Sequence, residues 1–299
     1  MTDGTATNAA PRPVVADVDP EEVAPSVHVI PDGRVPLVPN IGIVVGDRAA
    51  LVVDTGMGPV NGTRVLDKAR ALTDKPLLLT ITHFHPEHGF GAQVFDGVAT
   101  IVYNREQADE LTAKGPRYVE MFRGFGDAVA EQLEGVELVS AHVTYDGRAK
   151  IDLGGVSVEL SQVGPAHTRG DQLVLVRERR VVFTGDLVEN RLFPIFPWFP
   201  PDDADVSGER WIATLERFES MPVDVVVPGH GEPGGLELVR AARAYMADVQ
   251  GRVRGEGSTR SIDDVKAKLE PQIRESYPDW DAPEWIGFAI ECFHAELHG

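Results

Sequence analysis

The chain has 299 residues, of which 42% are hydrophobic, and its 47 acidic against 28 basic side chains give a formal net charge of −19. The apolar share is enough for one large core or two smaller ones, while the acidic excess argues against a nucleic-acid partner, because phosphate contacts need clustered Lys and Arg. The opening MetThrAspGlyThrAlaThrAsnAlaAlaProArgPro has no apolar stretch of the secretion-signal kind and no long apolar run follows, so a cytoplasmic protein without a membrane partner is expected.

Residues 1–23 are rich in Ala, Pro, Asp and Glu without periodicity and read as a tail, disordered or lying along the surface. The fold begins after it, with a catalytic domain over 24–260. Val27–Ile30, Ile41–Val45 and Leu51–Asp54 are short β-branched runs separated by Gly and Pro turns, and they predict antiparallel strands. His28, inside the first, reads as structural or exposed. The third ends in AspThrGlyMetGly, Asp54 to Gly58, where glycines let the backbone turn into a helix ending near Leu72.

Leu77–Ile81 predicts the next strand, followed by ThrHisPheHisProGluHisGly from Thr82. In extended chain His83 and His85 share a face and can reach one cation, and the turn at Pro86 lets Glu87 and His88 address a second position beside it. Four such side chains in six positions point to a transition-metal site more readily than to a polar surface turn. Ala99–Tyr103 predicts a strand and Arg105–Leu111 a helix. From Arg117 to Leu133, Met121, Phe122, Phe125, Val129 and Leu133 fall at helical spacings, as expected of core or lid packing.

Three more strands are predicted, Val156–Leu160, Gln172–Val176 and Arg180–Thr184. Between the first two, GlyProAlaHisThrArgGlyAsp sets His167 in a loop, and the third runs into ThrGlyAspLeu, which places Asp186 at a strand end. Val223–Gly231 is a strand and a glycine turn presenting His230. Between Asp186 and His230, Leu192–Pro201 holds Phe193, Phe196, Trp198 and Phe199 among four prolines. These aromatics are expected to wall a substrate pocket, with core packing or a homodimer interface as the competing reading. Residues 261–299 predict helices that cap the same domain; His294 and His298 read as an exposed helix face, and the single Cys292 as a small buried hydrophobe.

The ordered set from Asp54 to His230 resembles the metallo-β-lactamase-fold metallohydrolases, whose His-x-His-x-Asp-His run stands here as HisPheHisProGluHis, with Glu87 in place of Asp. The resemblance implies an α/β fold, an αββα sandwich of two mixed sheets flanked by helices. It implies that His83, His85 and His167 hold one metal, that Glu87, His88 and His230 hold a second, and that Asp186 bridges them. Asp54 would support the site by hydrogen bonding, so that Glu87, Asp186 and Asp54 are the expected catalytic carboxylates. One or two zinc ions are expected, with manganese or iron as alternatives. The implied reaction is attack by a metal-bridged hydroxide on a small apolar or aromatic ester, thioester or lactone. A hydrolytic dehalogenase resembling chlorothalonil dehalogenase is the runner-up, and an iron-dependent redox enzyme of the same fold is the alternative from another class.

Overall fold

Side chains alternate across a strand, so a strand apolar at every position must be covered on both faces. The strand Gln172–Val176 is of this kind, and the layers of the molecule follow from it: Val174 and Val176 enter one core, Leu173 and Leu175 another. The computed structural model describes residues 12–201 and 203–298. Its first sheet runs in chain order through β1 (Glu21–Ala24), β2 (Val27–Ile30), β3 (Ile41–Val45), β4 (Ala50–Val53), β5 (Leu77–Thr80), β6 (Ala99–Asn104) and β7 (Val143–Tyr145). Pairing is antiparallel up to β4 and parallel from β4 to β7. The second sheet includes β8 (Arg148–Asp152), β9 (Ser157–Gln162), β10 (Gln172–Val176), β11 (Val181–Phe183) and β12 (Val225–Val227) in the order β12-β11-β10-β9-β8, and only its β11–β12 pair is parallel.

The two sheets meet through Val29, Val44, Leu51 and Val53 on one side and Val158, Leu160, Val174 and Phe183 on the other. Their approach depends on Gly42, where a Cβ would lie 2.5 Å from the Phe183 ring. On the outer face of the first sheet, Ile43, Val52 and Leu79 pack under α1 (Gly58–Leu72), α3 (Arg105–Arg123) and α4 (Asp127–Gln132), while the short α2 (Pro86–Gly89) follows β5. On the outer face of the second, Leu175, Val182 and Val226 pack under α5 (Gly208–Phe218), α6 (Leu236–Glu256), α7 (Ile262–Ser276) and α8 (Trp285–His298). The result is the αββα sandwich. Residues 261–298 contribute Val265, Leu269, Ile290 and Phe293 to that same core, and Cys292 is buried among them.

Several elements differ from expectation. The first strand starts at Glu21, so residues 21–23 belong to the sheet rather than to a tail, and residues 12–20 lie along the surface, pinned at Val15, whose amide donates to Asn61 Oδ1 at 2.8 Å. Residues 1–11 lie outside the described residues. Strands β7 and β8 escape the sequence reading because their burial is slight and their residues largely polar, which leaves no apolar run to find. The helix after β6 runs on through Pro116 to Arg123, started by a reciprocal capping pair between Asn104 and Gln107. Helix α6 is not among the predicted elements, although Leu238, Ala242, Tyr245, Val249 and Val253 bury one face of it. Among the described residues no helix is long and apolar enough to cross a membrane.

Candidate metal centre

All the singled-out polar residues except His28, His294 and His298 gather where β4, β5, β9, β11 and β12 end on one edge of the sandwich. Asp54 leaves β4 with φ +68°, a left-handed conformation that Asp tolerates better than most residues. Its carboxylate accepts from the Thr82 amide at 2.6 Å and the Thr82 hydroxyl at 2.9 Å, and lies 2.9 Å from His88 Nδ1. Strand β5 stops at Thr80, so His83 and His85 sit in a bent loop rather than on a continued strand; Pro86 opens α2, where Glu87 and His88 follow. The loop nonetheless brings these imidazoles together. His83 Nε2 and His167 Nε2 each lie 3.0 Å from His85 Nδ1.

Asp186 enters from a one-turn 3₁₀ segment after β11, and its setting needs two glycines. A Cβ at Gly185 would come within 2.5 Å of Thr82 Oγ1, and one at Gly229 within 2.0 Å of Asp186 Oδ1. The neighbouring His230 has Nδ1 2.9 Å from the Val38 carbonyl, as His167 has Nδ1 2.8 Å from the Ile195 carbonyl. Each carbonyl can accept the Nδ1–H and leave Nε2 aimed into the cluster as a ligand atom.

Two groups that could each hold a cation result, His83, His85, His167 and Asp186, and Glu87, His88, Asp186 and His230, each with its donor atoms within 4.8 Å of one another. Asp186 belongs to both: Oδ2 lies 3.9 Å from His83 Nε2 and 3.7 Å from His167 Nε2, Oδ1 3.1 Å from His88 Nε2 and 3.7 Å from His230 Nε2. Among the described residues, His85 Nε2, Glu87 Oε2, His230 Nε2 and Asp186 Oδ2 are buried without a hydrogen-bond partner. Buried polar atoms are seldom left so, and a concentration of them on one spot fits cation binding. Imidazole and carboxylate donors are the set that zinc and its neighbours prefer.

The electrostatics favour the same reading. Burial, with neighbouring imidazoles, depresses His83 and His85 well below the usual histidine range, and burial brings His167 down to about 4, so all three offer neutral nitrogens. Burial opposes charge on His88 as well, but the carboxylates of Asp186 and Asp54 on either side outweigh it and raise its pKa. Burial would raise Asp186 too; His88 and His230 hold it well below the usual carboxylate range. Cation binding at these nitrogens is therefore coupled to loss of the His88 proton.

A cavity of about 440 Å³ opens beside this centre with His230 in its wall, lined by Val35, Leu37, Phe125, Leu192, Ile195 and Trp285. The four aromatics expected there are placed elsewhere. Phe193 packs on Tyr245, Tyr277 and Trp280, and Phe196 on Trp211 and Phe293, both fully buried in the helical core. Trp198 is half-buried against that core and Phe199 stands edge-on to Phe288. A loop has no fixed period, and here its aromatics turn inward while Leu192 and Ile195 turn to the cavity. With Phe193 and Phe196 covered by their own chain, they offer no apolar surface for a subunit interface either.

Other residues at the centre carry weak sequence signals. Glu189 is buried, and burial together with the charge of Asp186 raises its pKa well above the usual carboxylate range. The available signal is an acidic residue in the apolar run just past Asp186. Tyr118 stacks on His85 with ring centres 5.2 Å apart, and its hydroxyl donates to Asp203. Lys114 joins the same carboxylate at 2.9 Å to Glu110 at 2.9 Å and Asp205 at 2.7 Å, which ties α3 to the end of the proline-rich loop.

Comparison with known proteins agrees with the geometry. The family model of the metallo-beta-lactamase superfamily matches residues 34–230, the span that holds every proposed ligand. The human acyl-coenzyme A thioesterase MBLAC2 is 28% identical over 229 residues, covering 70% of this chain and 78% of that protein. A linear primary-alkylsulfatase of a Pseudomonas species is 23% identical, covering 75% of this chain but 48% of its own length. Among solved structures, a metallo-beta-lactamase family protein from Thermus thermophilus superposes with TM-score 0.65 at 16% identity over 91% of this chain and 93% of that one.

Proposed function

Because the chain belongs to the metallo-beta-lactamase superfamily and is a metal-dependent hydrolase, we propose that it cleaves a small thioester or ester with an apolar acyl part. In this reading His83, His85, His167 and Asp186 hold one zinc ion and Glu87, His88, Asp186 and His230 a second, the oxygen-richer second set being the one that could take manganese or iron instead. The observation that carries it is the meeting of two features at His230, which belongs to the second ligand set and also walls the apolar cavity.

The bound metals would supply Lewis acidity and a water made acidic enough to attack near neutral pH. The chain's own groups do the rest. Asp54 holds the imidazole of His88 by its Nδ1, while the Ile195 and Val38 carbonyls fix the rings of His167 and His230. Apolar walls seat the acyl group and keep bulk water from its carbonyl. The thioester preference draws on the relatives named acyl-coenzyme A thioesterases. The dehalogenase reading drew on the aromatics of the proline-rich loop, of which Phe193 and Phe196 lie in the core rather than at the cavity.

The test is an assay of the purified protein against matched esters, thioesters, lactones, alkyl sulfates and aryl halides, with oxygen uptake followed in parallel. Ester and thioester turnover should vanish on chelation and return with zinc or manganese. Asp186→Asn keeps the shape but removes the shared charge, and should lower kcat/KM by at least about a hundred-fold with an unchanged circular dichroism spectrum. Full turnover in chelated protein, or oxygen uptake in place of hydrolysis, would overturn the proposal.

A further inference from the structure

The cavity at His230 is apolar along its walls and acidic at its mouth. Depth follows from exposure: His230 is buried, whereas Arg34, Asp281 and Glu284 are exposed. Among the described residues Arg34 is the one basic side chain lining the cavity, and its guanidinium is already engaged. Nε donates to Glu232 Oε1 at 2.8 Å and Nη2 to Glu232 Oε2 at 2.5 Å, Nη1 reaches Asp281 Oδ2 at 3.3 Å, and Nη2 also reaches the Asn190 carbonyl at 3.3 Å. Asp32, buried in the wall, accepts from the Gly231 amide at 2.8 Å. One guanidinium therefore faces the carboxylates of Glu232, Asp281 and Asp32, and Glu284 adds a further negative charge to the lining.

The surfaces bordering the mouth have the same sign. The hollow beyond Arg34 and Asp281 adds Arg191 against Glu237 and Asp279, and the one beyond Leu37 and Phe125 sets Arg12 against Asp127 and Glu131. Over the whole chain the formal charge is −19. A polyphosphate carrier needs several free Lys or Arg, and a field of like sign lowers its local concentration and its rate of approach.

We infer that the half of the substrate left outside this cavity carries no negative charge, so that the enzyme acts on acyl groups borne by uncharged or cationic carriers and discriminates against coenzyme A thioesters. This rests on the hydrolase reading and gives it a substrate class. The cavity's size lies in the range of small-molecule sites, and its walls offer the acyl chain an apolar seat ending at the ligand cluster. The acidic rim then acts on whatever remains at the mouth, and Asp281 and Glu284 are its specificity-determining residues.

The experiment compares octanoyl-coenzyme A with octanoyl-N-acetylcysteamine, which share the acyl group and the thioester but not the charge. With the metal-loaded enzyme at low ionic strength, kcat/KM for the uncharged thioester should exceed that for the coenzyme A thioester by about tenfold or more. The gap should narrow as salt rises, because screening shortens the Debye length to about 3 Å at molar salt. The double variant Asp281→Asn with Glu284→Gln should raise the coenzyme A to N-acetylcysteamine ratio several-fold at low salt. Equal or faster turnover of the coenzyme A thioester, or a coenzyme A rate that falls as salt is added, would overturn the inference. Calorimetry with the matching non-hydrolysable thioethers separates this inference from the hydrolase reading. If neither thioester is cleaved, the hydrolase reading fails; tighter binding of the uncharged thioether still supports the selective rim, and equal binding, tighter binding of the coenzyme A thioether or no binding of either overturns it.

Discussion

Single carboxylates at this centre do different work according to what surrounds them. Asp54 accepts from two donors of Thr82 and stands beside His88, and Asp186 lies among imidazoles, whereas Asp171 is buried against the Thr168 amide at 2.9 Å and hydroxyl at 2.6 Å. Burial pushes the Asp171 carboxyl up to about 8 from an ordinary value of 3.8. The folded state then holds a proton that the unfolded chain has lost between about pH 4 and pH 8, so this group's contribution to stability is complete below the lower value and falls as pH rises toward the upper one. The slope it adds is at most about 1.4 kcal/mol per pH unit. Asp171→Asn mimics the protonated form and removes the slope. Denaturant unfolding of both proteins from pH 5 to 7.5 should show stability declining more steeply in the unmodified protein; parallel curves would mean that Asp171 is ionised throughout.

The loop from Leu192 to Pro201 shows how an element divides its residues between stability and recognition. Phe193 and Phe196 anchor it in the helical core, and a parallel bridge between Leu192 and Asp281 ties its start to the turn before α8. Leu192 and Ile195 face the cavity. Phe196→Ala should therefore cost about 3 to 5 kcal/mol of stability, as expected for a buried aromatic. Ile195→Ala keeps the carbonyl that holds His167 Nδ1 and removes only apolar wall, so it should leave stability nearly intact and raise KM for octanoyl substrates roughly tenfold. Measured KM and unfolding midpoints for both variants check the division; a Phe196→Ala protein of normal stability with altered KM would return that ring to the pocket.

At the scale of the whole molecule, the centre sits where both sheets end and draws its candidate ligands from both halves, so metal binding should stabilise the sandwich as a unit. A ligand bound by the folded chain alone adds about 2.7 kcal/mol when present at a hundred times its dissociation constant. Chelation should accordingly lower Tm by roughly 5 °C or more, with recovery on adding zinc. An unchanged Tm would mean that no tightly held metal is shared across the two halves. The sheet interface has its own sensitive point at Gly42, against which Phe183 packs with no space for a Cβ.

The sequence by itself determined the layered architecture and the order of the candidate ligands along it. His83, His85, Glu87 and His88 are covalently close, and Asp54, His167, Asp186 and His230 follow apolar runs whose strand character local pattern reveals. Alternation along Gln172–Val176 even assigns its side chains to two cores. Tertiary structure alone decided what surrounds the ligands. Nothing local distinguishes Phe196, which turns inward, from Ile195, which turns outward, because a proline-rich loop takes its register from the helices it meets. Phe125 and Trp285 join one cavity wall from widely separated elements, and Arg34 pairs with Asp281 across 247 positions of chain. Contacts at such separation exist only once the layers have packed, and the burial of Glu189, the stacking of Tyr118 on His85 and the acidic mouth depend on that packing.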